Sequence, residues 1–268
     1  MTFRDLHHQG TPFVLPNAWD VPSALAYLAD GFTAIGTTSF GVASSRGHRD
    51  GAGVTKQANI ELAGALARLG CYLSVDIEDG YSDDPNAVAE YVAQLPVAGI
   101  NIEDSTAEKL VAPALLAAKV AAIKRRNPEV FINARVDTYW LGQDADVATT
   151  VDRARHYTEA GADGIFVPLA AERDVLRELS AQIARPLNVL VVAGVSLREL
   201  GQLGVARVST GSMPYGAAVY AAAQAARAVR DGQTLPPSTP YRDMQTRLVD
   251  YENTTGPIAP VDGDHAIP

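Results

Sequence analysis

Short apolar runs alternate with longer amphipathic stretches along almost the whole chain. The runs FVLP (13–16), FTAIGT (32–37), CYLSVD (71–76), AGINI (98–102), VFINA (130–134), GIFVP (164–168), NVLVV (188–192) and ARVST (206–210) have the length and composition of strands. Between them lie VPSALAYLAD, TKQANIELAGALARLG, PNAVAEYVAQLP, APALLAAKVAAIKRR, ADVATTVDRARHYTEAG and AERDVLRELSAQIA. Their apolar residues recur at three and four, the spacing of helices packed on one face. Strands this apolar bury both faces, which suits a parallel sheet covered by helices. The pattern predicts an α/β protein, a single (β/α)8 TIM barrel over residues 1–253. Residues 240–253 form an extra C-terminal helix, and 254–268 (TTGPIAPVDGDHAIP) read as a flexible tail. Gly31, Gly70, Gly161 and Gly204 fall where left-handed helix caps are expected, and Pro85 and Pro113 fall near helix starts. A doubly wound open sheet is the rival, but NAWDVP after the first strand lacks the glycines of its first turn.

Carboxylates gather at the C-terminal ends of these strands. Asp76 and Glu78 close one run, Glu103 and Asp104 the next, and Asp137 follows NAR. In a (β/α)8 barrel those ends share one mouth. Any one of these acids alone is more often a helix cap or a solvated side chain. Asp76 and Glu78 together, with Glu103 from the neighbouring strand, point to a site. With Asp50, they make an all-oxygen donor set suited to Mg2+, or Mn2+, rather than zinc. Arg135 can fork onto a carboxylate or phosphate, or pair with the acids. The loop GTTSFGVASS (36–45) offers hydroxyls and N–H groups to an anion, and GSMPYGAA (211–218) sits where many barrels bind phosphate. The five histidines show no metal-ligand spacing. Tyr81 and His48 are the nearby candidates for proton transfer.

Composition narrows the partners. The 268 residues are 47% hydrophobic and 20% charged, an ordinary globular balance. A net charge of −9 disfavours nucleic acid and anionic membrane. Cys71, the single cysteine, excludes an intrachain disulfide and reads as a small buried side chain. No apolar run reaches membrane-spanning length and the N-terminus has no signal core, so a cytoplasmic protein is expected.

LPNAWD, GHRDG, VDIEDGY, GINIEDS and INARVD occur in that order. On them the chain resembles the isocitrate lyase / phosphoenolpyruvate mutase superfamily, in its phosphonomutase-like branch, over about residues 10–235. The resemblance implies a Mg2+ ion held largely through water among Asp50, Asp76, Glu78 and Glu103, with Asp76 nearest. It implies a substrate carboxylate held by Thr38, Ser39, Phe40 and Arg135, with Arg135, Asp50 and Glu103 as catalytic residues. The substrate is then a small α-keto or enolpyruvate-type acid, and the chain a homodimer or homotetramer that can exchange its C-terminal helix. The isocitrate-type lyases carry a KKCGH-like lid with a catalytic cysteine after the fourth strand. Here EDSTAEKLVAPALL has no Cys or His and one Lys, Lys109, which argues against tricarboxylate cleavage. The expectation is a Mg2+-dependent lyase acting through a stabilised enolate. The alternatives are a phosphonomutase and a non-catalytic binding protein without the lid.

Overall fold

The computed structural model describes residues 1–254. Apart from Thr254, the predicted tail lies outside the described residues. A short 3-10 turn, Asp5–His8, precedes β1 (Phe13–Leu15) and β2 (Asn17–Ala18). Then come α1 (Val21–Ala29), β3 (Ala34–Thr37), α2 (Ser39–Ser44), α3 (Thr55–Leu66), β4 (Tyr72–Asp76), α4 (Pro85–Val92) and β5 (Gly99–Glu103). The segments β6 (Ser105–Thr106) and β7 (Lys109–Leu110) form a small hairpin. The chain continues through α5 (Pro113–Arg126), β8 (Phe131–Arg135), α6 (Thr138–Leu141), α7 (Val147–Glu159), β9 (Gly164–Phe166) and α8 (Arg173–Gln182). It ends with β10 (Leu187–Leu190), α9 (Leu197–Gln202), β11 (Val205–Ser209), α10 (Met213–Arg230) and α11 (Tyr241–Asn253).

Nine segments form one parallel sheet in the order β1-β11-β10-β9-β8-β5-β4-β3-β2. β1 and β2 are consecutive pieces of one strand interrupted at Pro16, which has no N–H for a ladder. β1 pairs with β11 and β2 with β3, so the interrupted strand closes an eight-strand barrel. Asn17 reinforces the seam. Its amide donates to the Thr37 carbonyl (2.7 Å), and its Oδ1 accepts from Gly211 N (2.8 Å). Each predicted apolar run holds one barrel strand.

Outward side chains such as Ile35, Val75, Ile100, Ile132, Ile165 and Val189 are buried against the helices. The residues that start the helices are legible locally. Asp20 and Ser23 form a capping box on α1, and Pro85 and Pro113 occupy first-turn positions. Phe3 and Leu6 pack with Leu15, Ala34 and Phe131 in a separate apolar cluster, and His7 stacks on Phe131 (4.0 Å). The rest of the interior is unusual for this fold, which ordinarily fills its barrel with branched aliphatics. Here Ser74, Asn101, Asn133, Asn188, Arg207 and Ser209 are all buried. The predicted extra helix is α11. Its end docks beside α3, where Tyr251 Oη donates to the Ala65 carbonyl (3.2 Å).

Candidate active site

Asp76 is the last residue of β4 and is buried. Its Oδ2 accepts from Ser39 N at 3.2 Å, and Thr37 Oγ1 accepts from its own N–H at 3.0 Å. Burial raises its proton affinity, Arg135 opposes that, and the charge of Asp50 adds to it.

Glu78 reaches the mouth by a turn. The strand ends at Asp76, Ile77 is buried in the helix layer, and Glu78 takes a left-handed backbone (φ 51°). Tyr81 repeats it at φ 61°. Two non-glycine residues held there cost free energy, and such strain gathers at functional sites. The Glu78 carboxylate accepts from the Thr55 hydroxyl and from Gly53 N (3.2 Å). Burial again raises its proton affinity, against the Thr55 bond.

Glu103 and Arg135 end the adjacent strands β5 and β8 in register. Arg135 Nη1 lies 3.0 Å from Glu103 Oε2, and its Nε donates to Asp137 Oδ1 at 2.5 Å. Ser105 Oγ donates to the other Asp137 oxygen at 2.5 Å. The guanidinium is flanked by Trp140 (5.0 Å) and Phe166 (5.9 Å). Burial alone would weaken its charge, but Glu103, Asp137 and Asp76 outweigh that and hold it protonated. Burial drives Glu103 well above the usual carboxylate range despite Arg135.

Most of these groups face one cleft of about 730 Å³, whereas Asp76 and Asp137 are buried and do not line it. Ser39, Asp50, Glu78, Tyr81, Glu103 and Arg135 all line it. Asp50 is exposed on its rim in the loop between α2 and α3. The β6–β7 hairpin contributes Ser105, Thr106, Ala107 and Glu108 to one wall. It is pinned on two sides. Thr106 Oγ1 donates to Asp79 Oδ2 (2.7 Å), and Gln143 Nε2 donates to the Glu108 carbonyl (2.9 Å).

Other predicted residues fall elsewhere. Thr38 is the N-cap of α2, its side chain accepting from Gly41 N, and Phe40 is exposed beside Tyr215. Neither lines the cleft, and neither does His48, which is exposed on the rim loop. Asp104 turns away from the mouth, where it accepts from Arg153 Nε (2.6 Å) and Tyr157 Oη (2.7 Å). Cys71 lies just before β4, at the other end of that strand from Asp76, and burial pushes its thiol up to about 11.

Thr55 and Asn59 were not anticipated. They lie four apart on α3, buried on one face. Both bond the Tyr81 hydroxyl, at 2.8 and 2.9 Å, and Asn59 Nδ2 also donates to the Asp76 carbonyl (2.9 Å). Two polar residues on an otherwise apolar helix face are the signal that would have found them. Burial pushes the Tyr81 hydroxyl far above its ordinary value, so it stays neutral and keeps its proton.

Among the described residues, no three His, Cys, Asp or Glu side chains converge as a ready-made metal cage. The carboxylates are distributed around the mouth. A hard divalent ion bridged to them by water fits that spacing, and a dehydrated, closely caged ion does not. No helix among the described residues is long and apolar enough to cross a membrane.

The family model described as phosphoenolpyruvate phosphomutase matches residues 3–230. Uncharacterized protein Rv1998c of Mycobacterium tuberculosis (strain ATCC 25618 / H37Rv) is 69% identical over 255 residues, which is 95% of this chain and 99% of that one. A 2-methylisocitrate lyase of Bacillus subtilis (strain 168) is 30% identical over 197 residues, 69% of this chain and 64% of that one. Among solved structures, phosphonopyruvate hydrolase in complex with oxalate and Mg++ shares the fold, with a TM-score of 0.80 at 23% identity, covering 94% of this chain and 98% of that one. The match to the family model spans most of the barrel and every strand end described above, and the chain belongs to the phosphoenolpyruvate mutase/isocitrate lyase superfamily.

Proposed function

We propose that the chain is a Mg2+-dependent lyase acting on a small α-keto or enol carboxylate, by C–C cleavage or decarboxylation. The observation that carries this reading is one cation fixed among acids on a shared cleft. Arg135 is locked by Glu103 and Asp137 and shares the cleft with Asp50 and Glu78, and Asp76 is buried at the end of β4. The raised proton affinities of Asp76, Glu78 and Glu103 are those of carboxylates short of a counter-cation. An all-oxygen set suits Mg2+, which Asp76, Asp50, Glu78 and Glu103 would hold, largely through water. When bound, the ion supplies a Lewis acid for the keto oxygen.

The chain's own residues do the rest. Arg135 has an Nη2 with no protein partner among the described residues, and it takes the substrate carboxylate beside Ser39, the one residue of the Thr38–Ser39–Phe40 turn that lines the cleft. As the bond beside the keto group breaks, its electron pair moves onto the keto acid as an enolate. A preorganised cation stabilises that charge as it develops. Tyr81 keeps a proton close to the cleft. The hairpin wall offers no cysteine, histidine or arginine, so a tricarboxylate lacks partners there. The relatives support the chemistry class, with a lyase by sequence and an oxalate- and Mg++-bound hydrolase by fold. The description of the family model favours a second reading, a phosphonomutase acting on a P–C bond. The same reading carries a homodimer or homotetramer located in the cytoplasm.

Calorimetric titration with oxalate, a mimic of the pyruvate enolate, tests the proposal. Binding that requires Mg2+ is expected. Arg135→Ala should weaken it by about 1.5–3 kcal/mol as a charge-assisted bond is lost. No binding with or without Mg2+ would sink the enzyme reading. Turnover of keto diacids against phosphonates then separates C–C from P–C chemistry.

A further inference from the structure

We infer that Arg207 is a positioning residue: a fixed, buried cation inside the barrel that biases the acid-rich mouth toward an anionic ligand. The inference rests on the metal–oxalate reading above and goes beyond it, because Arg207 touches neither the cleft nor any of its carboxylates.

Arg207 belongs to β11, and its side chain is fully buried. In the sheet order β11 and β5 stand on opposite sides of the barrel. Arg207 Nη2 nevertheless donates to Asn101 Oδ1 of β5 at 3.1 Å, so the side chain crosses the interior. Its Nε donates to Ser209 Oγ at 3.2 Å, and Ser209 is bonded in turn to Asn188. Nη1 is buried with no partner among the described residues. Asn101 is the register partner of Asp76, which places the far end of this side chain on the strand position beside the buried acid.

What distinguishes Arg207 is the company it lacks. Arg135, Arg153 and Arg4 each pair with at least one carboxylate, and Arg207 pairs with none among the described residues. Its neighbours are neutral amides and a hydroxyl. A guanidinium taken out of water without a counter-ion is costly, and an apolar side chain would fill the same space more cheaply. Burial accordingly pulls it down to about 9, and the opposing influence is Asp76. It is still charged at neutral pH. The charge of Arg135 is already divided between Glu103 and Asp137. The charge of Arg207 is uncommitted, and in a low-dielectric interior such a charge acts beyond contact distance. The sign follows directly. A buried cation below the mouth repels a bare divalent ion and attracts an anion, so it holds metal affinity down and raises affinity for the anionic ligand.

Calorimetry on the full chain reads both terms. Arg207→Met should weaken oxalate binding, at saturating Mg2+, by about tenfold or more, while Mg2+ alone binds as well as before or more tightly. Weakening of Mg2+ and oxalate in parallel would mean a packing role and overturn the inference, as would unchanged oxalate affinity. If Arg207→Met does not fold, Asn101→Asp keeps the acceptor and quenches the charge in place. It should show the same split, and unchanged oxalate binding in that variant would overturn the inference equally. Wild-type protein distinguishes the two levels. Failure of the wild type to bind oxalate with Mg2+ removes the metal–oxalate reading and this inference with it. A binding wild type with an unaffected variant removes this inference alone.

Discussion

Glu103 and Asp104 are neighbours in sequence with opposite environments. Glu103 faces the cleft and Arg135, whereas Asp104 is fully buried in the helix layer with Arg153 and Tyr157. Strand alternation separates them, since consecutive side chains point to opposite faces. Their substitutions should therefore behave differently from each other. Asp104→Asn leaves Arg153 buried without its carboxylate, which should cost about 3–5 kcal/mol in denaturant unfolding with oxalate affinity unchanged in the folded protein. Asp76→Asn keeps an acceptor for Ser39 N and removes a charge that burial disfavours. Calorimetry should show Mg2+ binding abolished and the metal-free fold no less stable. The pH dependence follows from the same acids. Asp76, Glu78 and Glu103 all have folded values raised above 3.8 or 4.5. Their contribution to stability is complete below the unfolded carboxylate range and is lost as pH rises through the folded values. A divalent ion offsets that loss only where the acids are ionised. Mg2+ at a hundredfold excess over its Kd should thus raise the melting temperature by roughly 5–10 °C at pH 8. It should do little at pH 5, and an equal shift at both would detach the ion from these carboxylates.

Elements differ in how clearly the sequence announces them. The eight barrel strands were legible because each is an apolar run between amphipathic helices, and α11 was legible as a separate helical segment. The acids at strand ends and Arg135 were legible for the same reason: strand ends locate the mouth. The break at Pro16 and the β6–β7 hairpin were not, since two-residue segments carry no period to detect. The hairpin turn is also poorly signalled. Ala107 and Glu108 both adopt left-handed backbones (φ 51° and 60°), where Asn-Gly is the favoured pair. Thr55 and Asn59 were hidden because their role depends on α3 lying against Tyr81, a tertiary fact. Ala107→Asn with Glu108→Gly should relieve the turn and stabilise the protein by about 1–2 kcal/mol. Denaturant unfolding measures it. A loss of stability would show that the Glu108 side chain contributes more than its backbone strain costs.

The whole molecule leaves apolar surface that its own fold does not cover. α10 runs for 18 residues and buries only Ala228, although it carries Val219, Tyr220 and Val229 at 54%, 64% and 68% exposure beside many alanines. α11 buries no residue at all, and Tyr241 is 73% exposed. A surface helix normally hides an apolar stripe against its own core, and contiguous exposed apolar area of this kind marks an association surface. The end of α11 is held against its own chain by Arg68, whose guanidinium stacks on Tyr251 (4.9 Å) and donates to the Thr254 carbonyl (2.6 Å). Residues 231–240 between α10 and α11 include no helix or strand, and the helix of a second copy taking this place beside α3 is the exchange to be tested. Deleting residues 238–268 should then lower the number of protomers per particle measured by light scattering. Exchange requires the deleted helix to bridge copies. A truncated chain of unchanged oligomeric state would assign association to α10 and confine α11 to its own barrel.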